Sequence, residues 1–313
     1  MLRRTLLYSA PALALLGCHT RQPKAGAPRR IGLVMKSLAN EFYTTMAEGA
    51  RKHQAQHARQ YELIINGIKD EQDVARQSDL VDQTVAMGAD ALVIVPADAR
   101  ALIASCRRAM RAGVVVVNIV DRLDANVLSA RRLKIPYVGP DNRKGAALVG
   151  RALAQQLPPS APVAIIEGMP TAFSAISRRL GFEDAIKAAG LTLLVSQAAN
   201  WDMGRAHDIA NAIMTQHPQI KGFMVANDNM ALGVAAAVKA ASKARDIKVV
   251  GFDNIAAVQG LIKAGEVLAT ADQHADALAV YGIEYALELL QGHSTPDDRE
   301  TPIDLIDAKV LRT

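Results

Sequence analysis

From residue 31 onward, short runs rich in valine and isoleucine alternate with longer segments whose apolar residues recur every three to four positions. Runs at 31–35, 62–65, 91–95, 114–119, 137–138, 163–167, 192–197, 222–226, 248–251 and 267–271 have the length and composition of strands. The spacing between them predicts helices over 41–57, 73–87, 99–111, 142–156, 174–189, 203–217, 229–241, 255–263 and 274–290. Gly88, Gly113, Gly190 and Gly265 stand where such helices should stop. Strands that are almost continuously apolar and are joined by crossover helices form mainly parallel sheets covered on both faces. The class is therefore α/β. Ten strand–helix units are too many for one open sheet, so the pattern predicts two doubly wound lobes that part near Pro140 and Asp141.

The first 30 residues are patterned differently. Arg3 and Arg4 precede an apolar run at 6–16, too short to span a bilayer, and residues 1–17 read as a signal peptide. The run ends in Leu15-Leu16-Gly17-Cys18, which resembles the lipobox of bacterial lipoproteins. That resemblance implies acylation of Cys18, a lipid anchor and a place in the periplasm or cell envelope. Residues 18–30 are polar and aperiodic and read as a flexible tether. The formal charge of +5 also shrinks on inspection. Six of the 36 basic residues and no acidic residue lie in the first 30 positions, leaving 30 basic against 31 acidic in the body. A neutral body removes the main support for a nucleic-acid partner. With 50% hydrophobic and only 4% aromatic residues, the core must be aliphatic. Cys106, the only other cysteine, falls on an amphipathic helix and reads as packing.

In doubly wound sheets, ligands bind beyond the carboxyl ends of the strands. The sparse aromatics gather there: Phe42, Tyr43 and Trp201 in the loops, with Phe173 and Phe252 beside them. Asp121, Arg122, Asn227, Asp253 and Gln273 come after strands in the same way and suit hydroxyl groups. Flat faces beside planar polar groups describe a carbohydrate site. Asp228 reads as a helix cap and Arg178 as a surface residue of a helix. His53 and His57 have metal-ligand spacing but sit on a polar helix face. No zinc spacing, calcium loop, phosphate-cradling loop or nucleophile elbow is present, so no cofactor, metal or catalytic centre is expected.

The stretch 31–43, Asp121-Arg122, the segments 178–182, 226–233 and 250–253, and Gln273 together resemble the ribose-type periplasmic sugar-binding proteins of ABC transporters, in order along the chain. The resemblance implies two Rossmann-like lobes joined by a three-crossing hinge near Pro140, Gln273 and Asp304. The lobes would be 31–140 with 274–304 and 141–273 with 305–313. It places Asn40, Phe42, Tyr43, Asp121 and Arg122 on one side of the ligand and Trp201, Asn227, Asp253 and Gln273 on the other; Phe173, beside a strand-end loop, joins the expected site by position. Two departures stand out: Lys36 replaces a small polar residue, and Ile176 stands where a ligand-binding arginine is usual. Lys36 joins the expected site, with a neutral sugar or polyol as the ligand and a sugar acid as the alternative. The implied role is a monomeric, non-catalytic receptor handing its ligand to ABC permease subunits. Sensing through a chemoreceptor or kinase is the alternative, and an enzyme on the same fold is a remote one.

Overall fold

The computed structural model describes residues 27–293 and 295–312. The expected signal peptide and Cys18 lie outside the described residues. Strands β1 (Arg29–Met35), β2 (Tyr61–Gly67), β3 (Ala91–Ile94), β4 (Val115–Ile119) and β5 (Tyr137–Gly139) alternate with helices α1 (Glu41–Gln56), α2 (Val74–Ala86), α3 (Ile103–Arg111) and α4 (Ala125–Ala130). The chain continues through α5 (Asn142–Ala154), β6 (Pro162–Glu167), α6 (Phe173–Ala189), β7 (Thr192–Ala198), α7 (Met203–Gln216), β8 (Gly222–Val225) and α8 (Asp228–Ala240). It ends with β9 (Lys248–Val250), α9 (Ala256–Ala264), β10 (Ala269–Asp272), α10 (Ala275–Leu290), β11 (Arg299–Glu300) and β12 (Asp304–Asp307).

The strands form two six-stranded sheets, ordered β11-β5-β4-β3-β1-β2 and β12-β10-β9-β8-β6-β7. All pairings are parallel except β10 with β12. In each sheet the strand order reverses beside its first strand, β1 or β6. Side chains leaving those strand ends therefore converge on a crevice. Helix starts are set locally: Asn40, Asp73, Asp124, Asp141, Asp202 and Asn227 each cap the next helix with a side-chain oxygen. Gly190 and Gly265 close α6 and α9 in the left-handed conformation, at φ 64° and 76°. The buried core is mainly aliphatic, with Tyr61 and Phe223 among its aromatic members on the strands, and β3 and β8 are covered along their whole length.

The chain passes between the sheets after β5, after β10 and between β11 and β12. Asp304, expected with the first lobe, already pairs with Asp272 in the second sheet. Arg29 and Arg30, expected in the tether, belong to β1 and pair with Tyr61 and Glu62. The helix expected from 99 begins at Ile103, because Asp98 draws the amides of Arg100 and Ala101 into a turn. Two short edge strands and the single-turn α4 carry no apolar run and were not predicted.

Candidate functional site

One cavity, with an empty volume of about 260 Å³, lies between the carboxyl ends of the two sheets. From the first sheet it is lined by Lys36 at the end of β1, Asn40, Phe42 and Tyr43 at the start of α1, Glu71 in the β2–α2 loop, and Val120 and Asp121 after β4. The second sheet contributes Ser174 and Arg178 from α6, Trp201 after β7, Asn227 after β8, Asp253 after β9 and Gln273 after β10. Three of these are non-glycine residues held at positive φ: Val120 at 64°, Trp201 at 66° and Asp253 at 123°. Such backbone is costly, especially for a β-branched residue, and persists only where surrounding contacts enforce it. At Val120 they do. Its carbonyl accepts from the Tyr137 hydroxyl at 2.9 Å, while Asn118 binds the Asp121 carbonyl at 2.5 Å and the Leu123 amide at 2.8 Å. The strain turns the Asp121 side chain into the cavity.

The charges inside are matched. Lys36, only 1% exposed, donates to Asp121 and lies 3.8 Å from Glu71. Burial would lower the Lys36 pKa, but the two carboxylates outweigh it and the ammonium is held above its ordinary value. Burial likewise opposes ionisation of Asp121, yet Lys36 and the Ser174 amide, which donates at 2.9 Å, hold it below the usual carboxylate range. At Glu71 burial, with the nearby Asp121 charge, outweighs Lys36 and a hydrogen bond from Asn40 and pushes the carboxyl up to about 7. Burial raises Asp253 to about 6, restrained by Arg178 at 3.3 Å and by the Gln273 amide at 2.7 Å. Asn40 and Asn227 use their side-chain oxygens as helix caps, toward Phe42 and Met230. The oxygen of the Gln273 amide, Oε1, is buried without a hydrogen-bond partner among the described residues.

Nine of the eleven expected residues therefore meet around one cavity. Arg122 and Phe173 do not, which corrects their expected placement. The strained turn that aims Asp121 inward sends Arg122 outward, where it pairs with Asp298 and stacks over Tyr137 at 4.2 Å. Phe173, 37% exposed at the first turn of α6, lies in a groove outside the cavity. Arg178 is corrected in the opposite sense. It is 3% exposed, its guanidinium stacks 3.6 Å from Phe252, and it donates to Asn142 and to the Ala226 carbonyl, each at 2.8 Å. The surface role belongs to its neighbour Arg179, which pairs with Glu167 and Glu183. The spacing Ser174, Arg178, Phe182 marks one helix face and could have revealed this. Ile176 is 43% exposed and does not line the cavity, whereas Arg178 does. Glu71 was missed outright, because it sits in a polar loop that reads only as the approach to the Asp73 cap.

The sequence profile of the family described as "periplasmic binding protein domain" matches residues 31–294. A D-ribose/D-allose-binding protein of Pseudomonas aeruginosa is 47% identical over 300 residues, covering 95% of this chain and 93% of its own. An ABC transporter solute-binding protein of Burkholderia multivorans superposes with a TM-score of 0.87 at 45% identity, covering 89% of this chain and 99% of its own. A periplasmic solute-binding protein of Actinobacillus succinogenes, solved with D-allose bound, superposes equally well at 31% identity, covering 91% and 99%. Two six-stranded, mostly parallel sheets around a cleft-like cavity, with these relatives along nearly the whole described chain, place it in the periplasmic binding protein family.

Proposed function

We propose that this chain is the lipid-anchored, extracytoplasmic solute-binding subunit of an ABC importer, closing two lobes around a neutral monosaccharide. The names of its relatives, for D-ribose and D-allose, point to an aldose. The observation that carries the choice of a neutral ligand is the state of the cavity's charges. Both cations already have carboxylate partners inside the cavity, Lys36 with Asp121 and Glu71, and Arg178 with Asp253. An acidic ligand would add an anion to a site that already holds three carboxyl groups. Hydroxyls suit it better. A sugar hydroxyl would donate to Gln273 Oε1, whose unpaired state costs about 1–3 kcal/mol. The rings of Phe42 and Trp201 would cover the faces of the sugar ring. Differential contact with both lobes would then favour the closed form, which permease subunits would recognise.

A thermal-shift panel of the unlipidated protein with D-ribose, D-allose, D-gluconate and D-glucuronate tests this reading. A ligand at 100 times its Kd adds about 2.7 kcal/mol of stability. D-allose or D-ribose is expected to raise the melting temperature and the two acids to leave it unchanged. A shift confined to the acids would falsify the neutral-sugar reading.

A further inference from the structure

Helices α6 and α9 share a defect. They begin after Ala172 and Ile255, residues that cannot cap them, and neither helix has a side-chain cap of its own. The second lobe's other helices, α5, α7 and α8, are capped by the residue that precedes them. At α6 and α9 the first-turn amides are met instead from the opposite lobe. Asp121 accepts from the Ser174 amide at 2.9 Å. Glu41 accepts from the Ala256 amide at 2.7 Å and from the Ala257 amide at 3.4 Å.

Asp121 lines the cavity, but Glu41 lies outside it. Glu41 is the first residue of α1, a helix already capped by Asn40, so α1 does not need it as a cap. Its carboxylate therefore sits between two helix N-termini, that of α1 and that of α9. Each N-terminus carries roughly half a positive charge, so two brought together without an anion between them repel. With Glu41 in place, the same approach gains charge-assisted hydrogen bonds.

We propose that Glu41 is a positioning residue for ligand binding: it caps α9 across the cleft, as Asp121 caps α6, and so stabilises the closed lobes without touching the ligand. The proposal rests on lobe closure as proposed above. It explains why two helices of one lobe lack caps while their neighbours have them. It also gives the buried Lys36 a task, since an ionised Asp121 is a better cap than a neutral one.

Trp201, the only tryptophan of the chain, lies in the cavity wall and reports binding through its emission. Titration with D-allose and D-ribose should show Glu41→Gln binding about fivefold more weakly than the wild type, the scale of a lost cap. Glu41→Lys should lose more. The loss should appear as faster dissociation, with the preference between the sugars and the melting temperature of the unliganded protein unchanged. Wild-type affinity in both variants, or a fall in unliganded stability that accounts for the loss, would overturn the proposal. Hydrogen exchange of the D-allose-saturated protein, in which the lobes are closed, reads the cap directly. The Ala256 and Ala257 amides should exchange faster in Glu41→Gln, while the Arg205 amide, capped by Asp202, should not change. Equal rates at Ala256 and Ala257 would also overturn it. If the wild type responds to neither sugar, the sugar reading falls, and the same exchange comparison on protein saturated with whichever pentose, hexose, inositol or sugar acid raises its melting temperature decides the cap.

Discussion

At the scale of single residues, the cavity depends on a few buried charges whose environments differ. Glu71 ionises near pH 7 rather than near its ordinary 4.5, because burial outweighs the attraction of Lys36. A carboxyl raised in this way favours the folded state while it is protonated. Its contribution is largest below pH 4.5, declines as pH rises toward 7 and is spent above that. Glu71→Gln should therefore flatten the fall in stability between pH 5 and 8, by a few kcal/mol at about 1.4 kcal/mol per pKa unit. Urea unfolding at several pH values measures this, and an unchanged slope would remove Glu71 from the account. Asp253 and Asp228, raised by burial to about 6 and about 8, contribute with the same sign, so a residual slope should persist in the variant. Arg178→Ala should cost about 3–5 kcal/mol in the same assay, because it leaves Asp253 buried without its cation. Asp121, Trp201 and Asp253 were legible in the sequence because this topology turns the residues just past its strand ends toward the crevice. Arg178 and Arg122 were not, since adjacent residues of a helix or turn point in different directions and only packing settles which turns inward.

At the scale of elements, the alternation of apolar strands and amphipathic helices was legible because each crossover buries a face. The edge strands were not. β11 and β12 contain mostly polar residues, and pairing with β5 and β10 makes them strands. Helix packing shows the same division between local and tertiary control. A Cβ on Gly181 would come within 2.2 Å of the Arg143 carbonyl oxygen, so α6 rests on the backbone of α5 only because that residue is glycine. Gly260, in the middle of α9, would meet nothing within 4 Å. Gly181→Ala should therefore destabilise by about 1–3 kcal/mol through overpacking. Gly260→Ala should stabilise by about 0.5–1 kcal/mol through helix propensity alone. The two substitutions are chemically identical, so opposite shifts in the urea midpoint would isolate packing from propensity. Shifts of the same sign would contradict the close approach of α5 and α6.

At the scale of the whole molecule, the two sheets repeat one strand order, and three passages of chain between them give the cavity a wall from each. The repeat was legible as ten strand–helix units. The exact passages were not, because β11 and β12 lie on different sheets only three residues apart. The charge distribution along the chain separates a neutral body from a basic stretch of 30 residues that ends in β1. If Cys18 carries lipid, about 11 residues connect it to Arg29, a reach of roughly 36 Å at full extension. That is comparable to the thickness of a bilayer, so the anchor would leave the cavity free to present sugar to membrane subunits. Cys18→Ala should then abolish incorporation of labelled palmitate. Its affinity for D-allose should stay at the wild-type value, because among the described residues the cavity draws none from before Lys36. Undiminished palmitate incorporation by Cys18→Ala would refute lipidation at that residue. A weakened affinity would show instead that the basic stretch takes part in closure.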